Sequence, residues 1–164
     1  MTPSNVHITT LDSDFDRWEA LLTLITNTFA YMNPLIDPPS SAVEMTIRTL
    51  RQKAETETAV VAFIDTAVVG CLFLADRGDH FYLGKFAIAR DYQGRGIGRA
   101  LLARAEAIAR SVGKPVIELQ TRIELKDNHQ TFERLGFRKT AETSHPGFDR
   151  ITSITMRKDL GHGA

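Results

Sequence analysis

The stretch DYQGRGIGRALL, residues 91–102, has glycine at positions 94, 96 and 98 and leads directly into a helical pattern. A helix that begins here has no polar side chain to cap it, so backbone N–H groups in its first turn lack an intrahelical partner. Glycines let such groups approach a ligand closely, and the helix dipole adds partial positive charge. With Arg95 and Arg99 beside it, the stretch predicts a binding site for a phosphate or pyrophosphate.

The composition is that of one soluble globular domain. The chain has 164 residues, of which 43% are hydrophobic and 24% are charged; this is enough for a single core and too apolar for extended disorder. Lysine plus arginine number 20 and aspartate plus glutamate number 20, so no net field favours nucleic acid or a membrane surface. We expect one domain over residues 1–164, without a nucleic-acid or membrane partner.

No targeting or membrane segment is evident in the sequence. Residues 1–14 lack the basic and apolar regions of a signal peptide, and the longest apolar run, residues 67–75, is too short to span a bilayer. The single cysteine, Cys71, excludes an internal disulfide and lies in an apolar strand pattern, where a small buried side chain is expected. We therefore expect a cytoplasmic protein.

The hydrophobic pattern predicts both strands and helices. Runs of β-branched and aromatic residues predict strands at residues 6–11, 59–64, 67–75, 80–89, 116–120, 137–140 and 151–158. Helical spacing predicts a helix from Trp18 to Asn33-Pro34, a second opened by a Ser41/Glu44 capping box, a third after the glycines, and a short fourth between Asn128 and Gly136. The expected apolar faces are Val43, Ile47, Leu50 and Ala54 on the second helix and Ile97, Leu101, Ala105, Ile108 and Val112 on the third.

The resulting order, βααβββαβαββ, describes an α/β fold with a central mixed, mostly antiparallel sheet and about four flanking helices. Because a helix separates the strands at 80–89 and 116–120, these two strands are expected to run parallel. The short turns between the strands from residue 59 to residue 89 predict an antiparallel meander.

Two common nucleotide motifs can be tested against the glycine stretch. A P-loop needs G-x-x-x-x-G-K-[ST], and no glycine-lysine pair in the chain is followed by serine or threonine; Gly113-Lys114 precedes proline. A dinucleotide fingerprint needs G-x-G-x-x-G/A, but the last position is Arg99 or Leu101, depending on the starting glycine. Glu118 does lie 20 residues after the last glycine, where a ribose-binding acid is expected, so a dinucleotide-binding protein stays open as an alternative.

Metal and serine-hydrolase motifs are absent from the sequence. Histidines at positions 7, 80, 129, 145 and 162 show no metal-ligand spacing, and the chain contains no G-x-S-x-G elbow. We therefore expect no metal site.

Two segments resemble the GCN5-related N-acetyltransferase (GNAT) superfamily. FAIARDYQGRGIGRALL, residues 86–102, is similar to the acetyl-coenzyme A segment of the family, and DNHQTFERLGF, residues 127–137, is similar to its asparagine, short helix and Leu-Gly-Phe ending. The order of elements follows the family from the first strand to the last. The resemblance implies the GNAT fold, with acetyl-CoA as co-substrate.

The resemblance also implies where the cofactor lies. The pantetheine arm is expected to bond to backbone groups of Phe86, Ala87 and Ile88, in a gap between this strand and the strand after the helix. The pyrophosphate is expected at Gln93, Gly94, Arg95, Gly96, Ile97, Gly98 and Arg99. Asn128 matches an asparagine that contacts the cofactor arm, although an N-cap of the following helix explains it equally well. Arg90 replaces a proline that is frequent in the family.

The catalytic groups are less well determined by the sequence. Phe132 occupies the place of a family tyrosine that protonates the departing thiolate, and phenylalanine has no proton to donate; it is expected to pack on the cofactor. The candidates for the base that deprotonates the amine are Tyr82, His80, Glu118 and Glu124. Tyr82, at the position of a catalytic glutamate in some members, is expected on the same side of its strand as Phe86 and Ile88.

The function implied is an acetyl-CoA-dependent N-acetyltransferase that moves an acetyl group directly to a primary amine of a small molecule or peptide. Residues 31–41 and 144–150 are expected to border the acceptor, with Tyr31, His145 and Phe148 as substrate contacts. A module that binds acetyl-CoA without transfer is the alternative, since no base stands out and Phe132 cannot donate. The family also contains many homodimers.

Overall fold

The computed structural model describes residues 5–161 and contains the predicted order of elements, βααβββαβαββ. The strands are β1 (Val6–Thr10), β2 (Thr58–Ile64), β3 (Ala67–Asp76), β4 (Phe81–Ile88), β5 (Val116–Arg122), β6 (Arg138–Thr143) and β7 (Ser153–Asp159). The helices are α1 (Trp18–Met32), α2 (Ile47–Thr56), α3 (Ile97–Ser111) and α4 (Lys126–Arg134). Short 3-10 turns lie at Asn33–Leu35, Ser41–Glu44 and Arg90–Tyr92. Within residues 5–161, no helix is both long and apolar enough to cross a membrane.

The strands form one sheet in the order β1-β2-β3-β4-β5-β7-β6. Every neighbouring pair is antiparallel except β4 and β5, which are parallel as the sequence predicts. Their pairing is confined to Phe81 with Ile117 and Tyr82 with Glu118. The remainder of β4 and the remainder of β5 therefore separate from each other, and a gap opens in the middle of the sheet.

Helices cover both faces of the sheet and create two apolar clusters. Helix α3 packs on one face, where Leu101, Ala105 and Ile117 are fully buried, and α1 packs on the other with Leu21 and Ile25. The start of α3 can lie close to β3 because residue 70 is glycine. A Cβ at Gly70 would be 3.0 Å from Leu101 Cδ1 and 3.1 Å from Ile88 Cδ1, so a larger residue would require these side chains to shift.

The second helix begins later than the capping box at Ser41 and Glu44 predicts. Residues 41–44 form a 3-10 turn instead, capped by the hydroxyl of Ser40. Helix α2 begins at Ile47, where the Thr46 hydroxyl accepts from the Thr49 N–H at 3.2 Å and the Thr49 hydroxyl accepts from the Thr46 N–H at 2.9 Å. Two threonines thus form the reciprocal cap, because Met45 is extended and ends the turn before it.

Three further details of the helices differ from the sequence predictions. Val43 lies on the 3-10 turn and Val112 lies beyond α3, and their exposed fractions are 37% and 59%, so neither belongs to a buried helical face. Ala109 is buried on α3 instead. Asn128 is not an N-cap, because α4 begins at Lys126 and the Asn128 N–H already donates to the Leu125 carbonyl at 3.0 Å.

Candidate cofactor and acceptor site

Helix α3 begins without any side-chain cap, as the sequence predicts. Gly96 is the residue before the helix, and its φ of 84° lies in the left-handed region that favours glycine. The first intrahelical bond runs from the Ala100 N–H to the Gly96 carbonyl at 3.0 Å. The N–H groups of Ile97, Gly98 and Arg99 therefore have no acceptor within the helix. Three adjacent donors at the positive end of a fifteen-residue helix suit a pyrophosphate.

The glycine loop lies directly against the end of β4. The side-chain amide of Gln93 donates to the Ile88 carbonyl at 3.2 Å, which ties the loop to the strand. A Cβ at Gly98 would be 3.5 Å from Phe86 Cζ, an ordinary contact. The free N–H groups of α3 and the part of β4 that separates from β5 are thus neighbours, as a cofactor that spans both elements requires.

The gap between β4 and β5 opens into a cavity of ≈ 380 Å³. Phe86, Asn128 and Phe132, which are predicted to contact the cofactor, all line this cavity. The ring of Phe132 packs against Phe86 with 6.1 Å between ring centroids, and against Phe137 with 5.8 Å. The structure thus brings these three together, and Phe132 is part of an aromatic wall.

A bulge in β4 changes which side chains share a face. Cys71 pairs with Ala87 and Phe73 with Gly84, so the β4 segment between these pairs has one more residue than the β3 segment. Lys85, in the bulge, has a φ of 50°. Phe86 and Ile88 consequently pack on the α3 side with Phe81 and Leu83, whereas Ala87 packs on the α1 side. The prediction that Tyr82 shares a side with Phe86 and Ile88 is therefore wrong, because a bulge shifts the alternation by one residue.

Tyr82 nevertheless lines the cavity. Burial, and next the nearby Glu118 carboxylate, raise the pKa of its phenol above the ordinary value. The hydroxyl is therefore protonated near neutral pH and has a proton to donate, so it is not an ionised base there.

Two other predicted candidates for the base lie away from the cavity lining, at the paired end of β4 and β5. Glu118 accepts from Arg157 Nε and Nη2, each at 2.8 Å. His80 Nε2 is 3.8 Å from Glu118 Oε1, and His80 Nδ1 is 2.6 Å from Asp79 Oδ1. These groups contact one another rather than the cavity, so a catalytic role for Glu118 or His80 stays a prediction.

Glu124 belongs to a group of polar contacts that joins the two predicted acceptor loops. Its carboxylate accepts from the Asp37 N–H at 3.1 Å and lies 3.8 Å from Arg150 Nη1. Arg150 Nη2 also donates to the Asp37 carbonyl at 2.8 Å, and Arg122 Nη1 donates to the Pro38 carbonyl. Residues 36–40 are thereby held against the loop before β7.

The predicted substrate contacts are separated by the structure. His145 lines the cavity, and its pKa is lowered by burial and then by the positive charge of Arg122, so its ring is neutral near pH 7. Phe148 packs beside it with 6.4 Å between ring centroids. Tyr31 is 55% exposed and carries the Arg90 guanidinium 4.1 Å above its ring. Of the three, only His145 is part of the cavity wall.

Five charged residues of the cavity wall are missing from the predicted site residues: Lys53, Glu57, Arg77, Lys85 and Arg122. Lys53 Nζ pairs with Glu57 Oε2 at 2.7 Å. The Lys85 ammonium lies 5.4 Å from the ring centroid of Phe29, and burial followed by the charge of Lys53 lowers its pKa. The available signal was a single lysine inside the apolar strand pattern of residues 80–89.

Cys71 is fully buried beneath this wall, and burial raises the pKa of its thiol to about 12. The thiol donates to the Lys85 carbonyl at 3.3 Å. This agrees with the interpretation of Cys71 as a small buried side chain. Among residues 5–161, no three or more His, Cys, Asp or Glu side chains are grouped to hold a metal; His162 lies outside the described residues.

Comparisons with known proteins agree with this architecture. Residues 18–137 match the model of the acetyltransferase (GNAT) family. A comparison with curated proteins found no match.

Solved structures share the fold over nearly the whole chain. An acetyltransferase from Streptococcus agalactiae has 22% identity and a TM-score of 0.75, with 95% of this chain and 99% of that chain covered. The ribosomal-protein-S18-alanine N-acetyltransferase from Escherichia coli has 19% identity and a TM-score of 0.68, with 94% of each chain covered. PaiA N-acetyltransferase from Thermoplasma acidophilum, in complex with coenzyme A, has 17% identity and a TM-score of 0.75, with 94% and 98% covered. The family match, which includes the glycine loop and all of α3, shows that the chain belongs to the GNAT acetyltransferase family.

Proposed function

We propose that the protein transfers the acetyl group of acetyl-CoA directly to a primary amine of a small molecule or peptide. The observation that carries this proposal is the position of Phe86. It packs beside the uncapped start of α3 and also lines the cavity between β4 and β5. One extended molecule can therefore place an anionic diphosphate at the helix and a thioester in the cavity.

The residues present fit acetyl-CoA. The N–H groups of residues 97–99 would hold the diphosphate, beside Phe86, whose Cζ lies 3.5 Å from where a Cβ at Gly98 would be. Exposed backbone along the separated part of β4 would pair with the pantetheine amides. Asn128 and the ring of Phe132 line the same cavity and would contact the arm. The PaiA neighbour was solved with coenzyme A, which supports the same assignment.

The transfer requires a neutral amine. Its nitrogen forms a bond to the thioester carbonyl carbon, the carbon–sulfur bond breaks, and the amine proton leaves to a base or to water. Phe132 cannot donate a proton to the departing sulfur, so solvent or another cavity group must supply it. Tyr82 is the phenol on the cavity wall that carries such a proton, and we assign it this supporting role rather than that of a base.

Thiol release from acetyl-CoA, measured against a broad panel of amines, tests the proposal. Release that rises with one amine, together with the N-acetyl product by mass spectrometry, is the expected result. Calorimetry of coenzyme A and NAD on the same protein separates the alternatives. Tight coenzyme A binding with no amine-stimulated release would identify a binding module, and NAD binding would favour the dinucleotide alternative.

A further inference from the structure

The cavity between β4 and β5, where we propose that the acceptor meets the thioester, has more positive than negative side chains in its lining. Lysines and arginines at positions 53, 77, 85 and 122 line it, and Glu57 is the one carboxylate of the described residues in that lining. The whole chain has 20 basic and 20 acidic residues. The excess of positive charge therefore belongs to this cavity and not to the composition.

Three of these cations, Arg77, Lys85 and Arg122, form no ion pair with a described carboxylate, and Lys85 is the lysine among them. Glu57 is already paired with Lys53 at 2.7 Å, and Lys85 forms no ion pair with any described carboxylate. Its ammonium is partly buried against Phe29, close enough to Lys53 for the two like charges to interact. An ammonium held in this way gains more from an anionic partner than an exposed one does, since the surrounding dielectric is lower.

The backbone also directs Lys85 to this place. The β4 bulge, with a φ of 50° at Lys85, interrupts the strand where it separates from β5 and leaves the lysine in the cavity lining. Bulges re-aim single side chains in this manner at functional sites. Without the bulge, the regular alternation of side chains along β4 would have determined which face of the sheet carries this lysine.

We propose that the amine acceptor also carries an anionic group, a carboxylate, which binds Lys85; this rests on the proposed function. The positive lining has a second effect, because nearby positive charge lowers the pKa of a bound amine and favours its neutral, reactive form. The same field thus selects the acid and assists deprotonation, in a cavity whose wall has no free carboxylate base among the described residues. Polycationic amines are excluded as good acceptors by the same repulsion.

Matched acceptors test the charge requirement. Leucine and leucinamide, and phenylalanine and phenylalaninamide, differ at the carboxylate, with spermidine as a polycation. The amine of each amide loses its proton more easily, so intrinsic reactivity favours the amide, and a preference for the acid must come from the protein. We expect kcat/KM to be about tenfold or more higher for the acids, as for a charge-assisted hydrogen bond. Equal or better use of the amides or spermidine would overturn the proposal.

Variants at residue 85 assign the effect to one side chain. Lys85→Gln is expected to lower kcat/KM for the acids by about tenfold more than for the amides, and Lys85→Arg is expected to restore most of the loss. Lys139→Gln, at an exposed lysine on β6, is the matched control. Thermal unfolding and coenzyme A calorimetry on each variant identify loss of fold or of cofactor binding. An equal loss on acids and amides would contradict the role of Lys85.

A binding measurement keeps the two proposals separable. With the protein saturated with coenzyme A, calorimetry compares N-acetylleucine with N-acetylleucinamide. Tighter binding of the acid, lost in Lys85→Gln, supports the anion site even if no amine is acetylated, in which case only the proposed function fails. If transfer occurs but the two ligands bind equally, the anionic acceptor is wrong and the transferase proposal stands.

Discussion

Single backbone positions determine where the site lies. Gly96 takes a left-handed φ of 84° and thereby ends the loop so that the N–H groups that follow face outward. Lys85, also with positive φ, shifts the alternation of β4 and separates Tyr82 from Phe86. Substitution at Gly96 would combine strain with any change of charge, so Gly98, which has an ordinary φ, is the better position to test.

Gly98→Asp is expected to weaken coenzyme A binding without loss of fold. A carboxylate in the first turn favours the helix but repels a pyrophosphate held by the same turn. We expect the Kd for coenzyme A, measured by calorimetry, to be about tenfold or more higher than in Gly98→Asn, which has nearly the same volume without the charge. Equal affinities of the two variants would mean that the pyrophosphate does not lie at this helix start.

At the scale of elements, caps and turns decide where the helices begin. The region before α2 offers two candidate caps, one at Ser41 and one at Thr46, and only the second has the reciprocal hydroxyl bonds of a capping box. The difference arises because residues 41–44 complete a 3-10 turn and Met45 then extends. Helix α2 supplies Lys53 and the adjacent Glu57 to the cavity, so its start also positions part of the site.

Thr46→Ala is expected to lower the free energy of unfolding by about 1 kcal/mol, as for the loss of an N-cap. Ser41→Ala is the control, with a change expected within about 0.5 kcal/mol, since that hydroxyl caps no helix and lies on the surface. Urea unfolding followed by circular dichroism measures both. A larger loss in the Ser41 variant would mean that α2 begins where the sequence pattern placed it.

At the scale of the whole molecule, segments distant in sequence meet above the cavity. Arg150 Nη2, in the loop before β7, donates to the Asp37 carbonyl at 2.8 Å and to the Asp37 carboxylate at 3.2 Å. Glu124, after β5, receives the Asp37 N–H. These exposed contacts add little to stability individually, but together they set the position of residues 36–40 at the side of the cavity where we propose that the acceptor binds.

Arg150→Ala is expected to raise the KM for the acceptor severalfold and to leave the Kd for coenzyme A unchanged. Its effect on unfolding is expected to be within about 1 kcal/mol, because the pair is exposed. Arg138→Ala removes a comparable exposed pair with Asp159, at 3.3 Å on the outer strands, and is expected to change neither constant. A change in coenzyme A affinity in the Arg150 variant would show that the loop contacts the cofactor.

Much of this protein follows from local sequence. The periodicities predicted the order of elements, and the glycines at 94, 96 and 98 predicted an uncapped helix start, because both depend on residues close together in the chain. The same order of elements, together with the family resemblance, predicted that Asn128 and Phe132 follow the fifth strand and contact the cofactor. Both residues line the cavity.

Tertiary structure alone decided the rest. The bulge that turns Lys85 into the cavity depends on how β4 pairs with β3, the start of α2 depends on a choice between neighbouring hydroxyls, and the meeting of Asp37 with Arg150 joins residues 113 positions apart. Strand register and contacts between distant loops are set by packing across the sheet, so a local sequence pattern does not predict them. The glycine loop therefore indicated the proposed donor, whereas the positive charge of the cavity depends on how α2, β4, β5 and the turn before β4 come together.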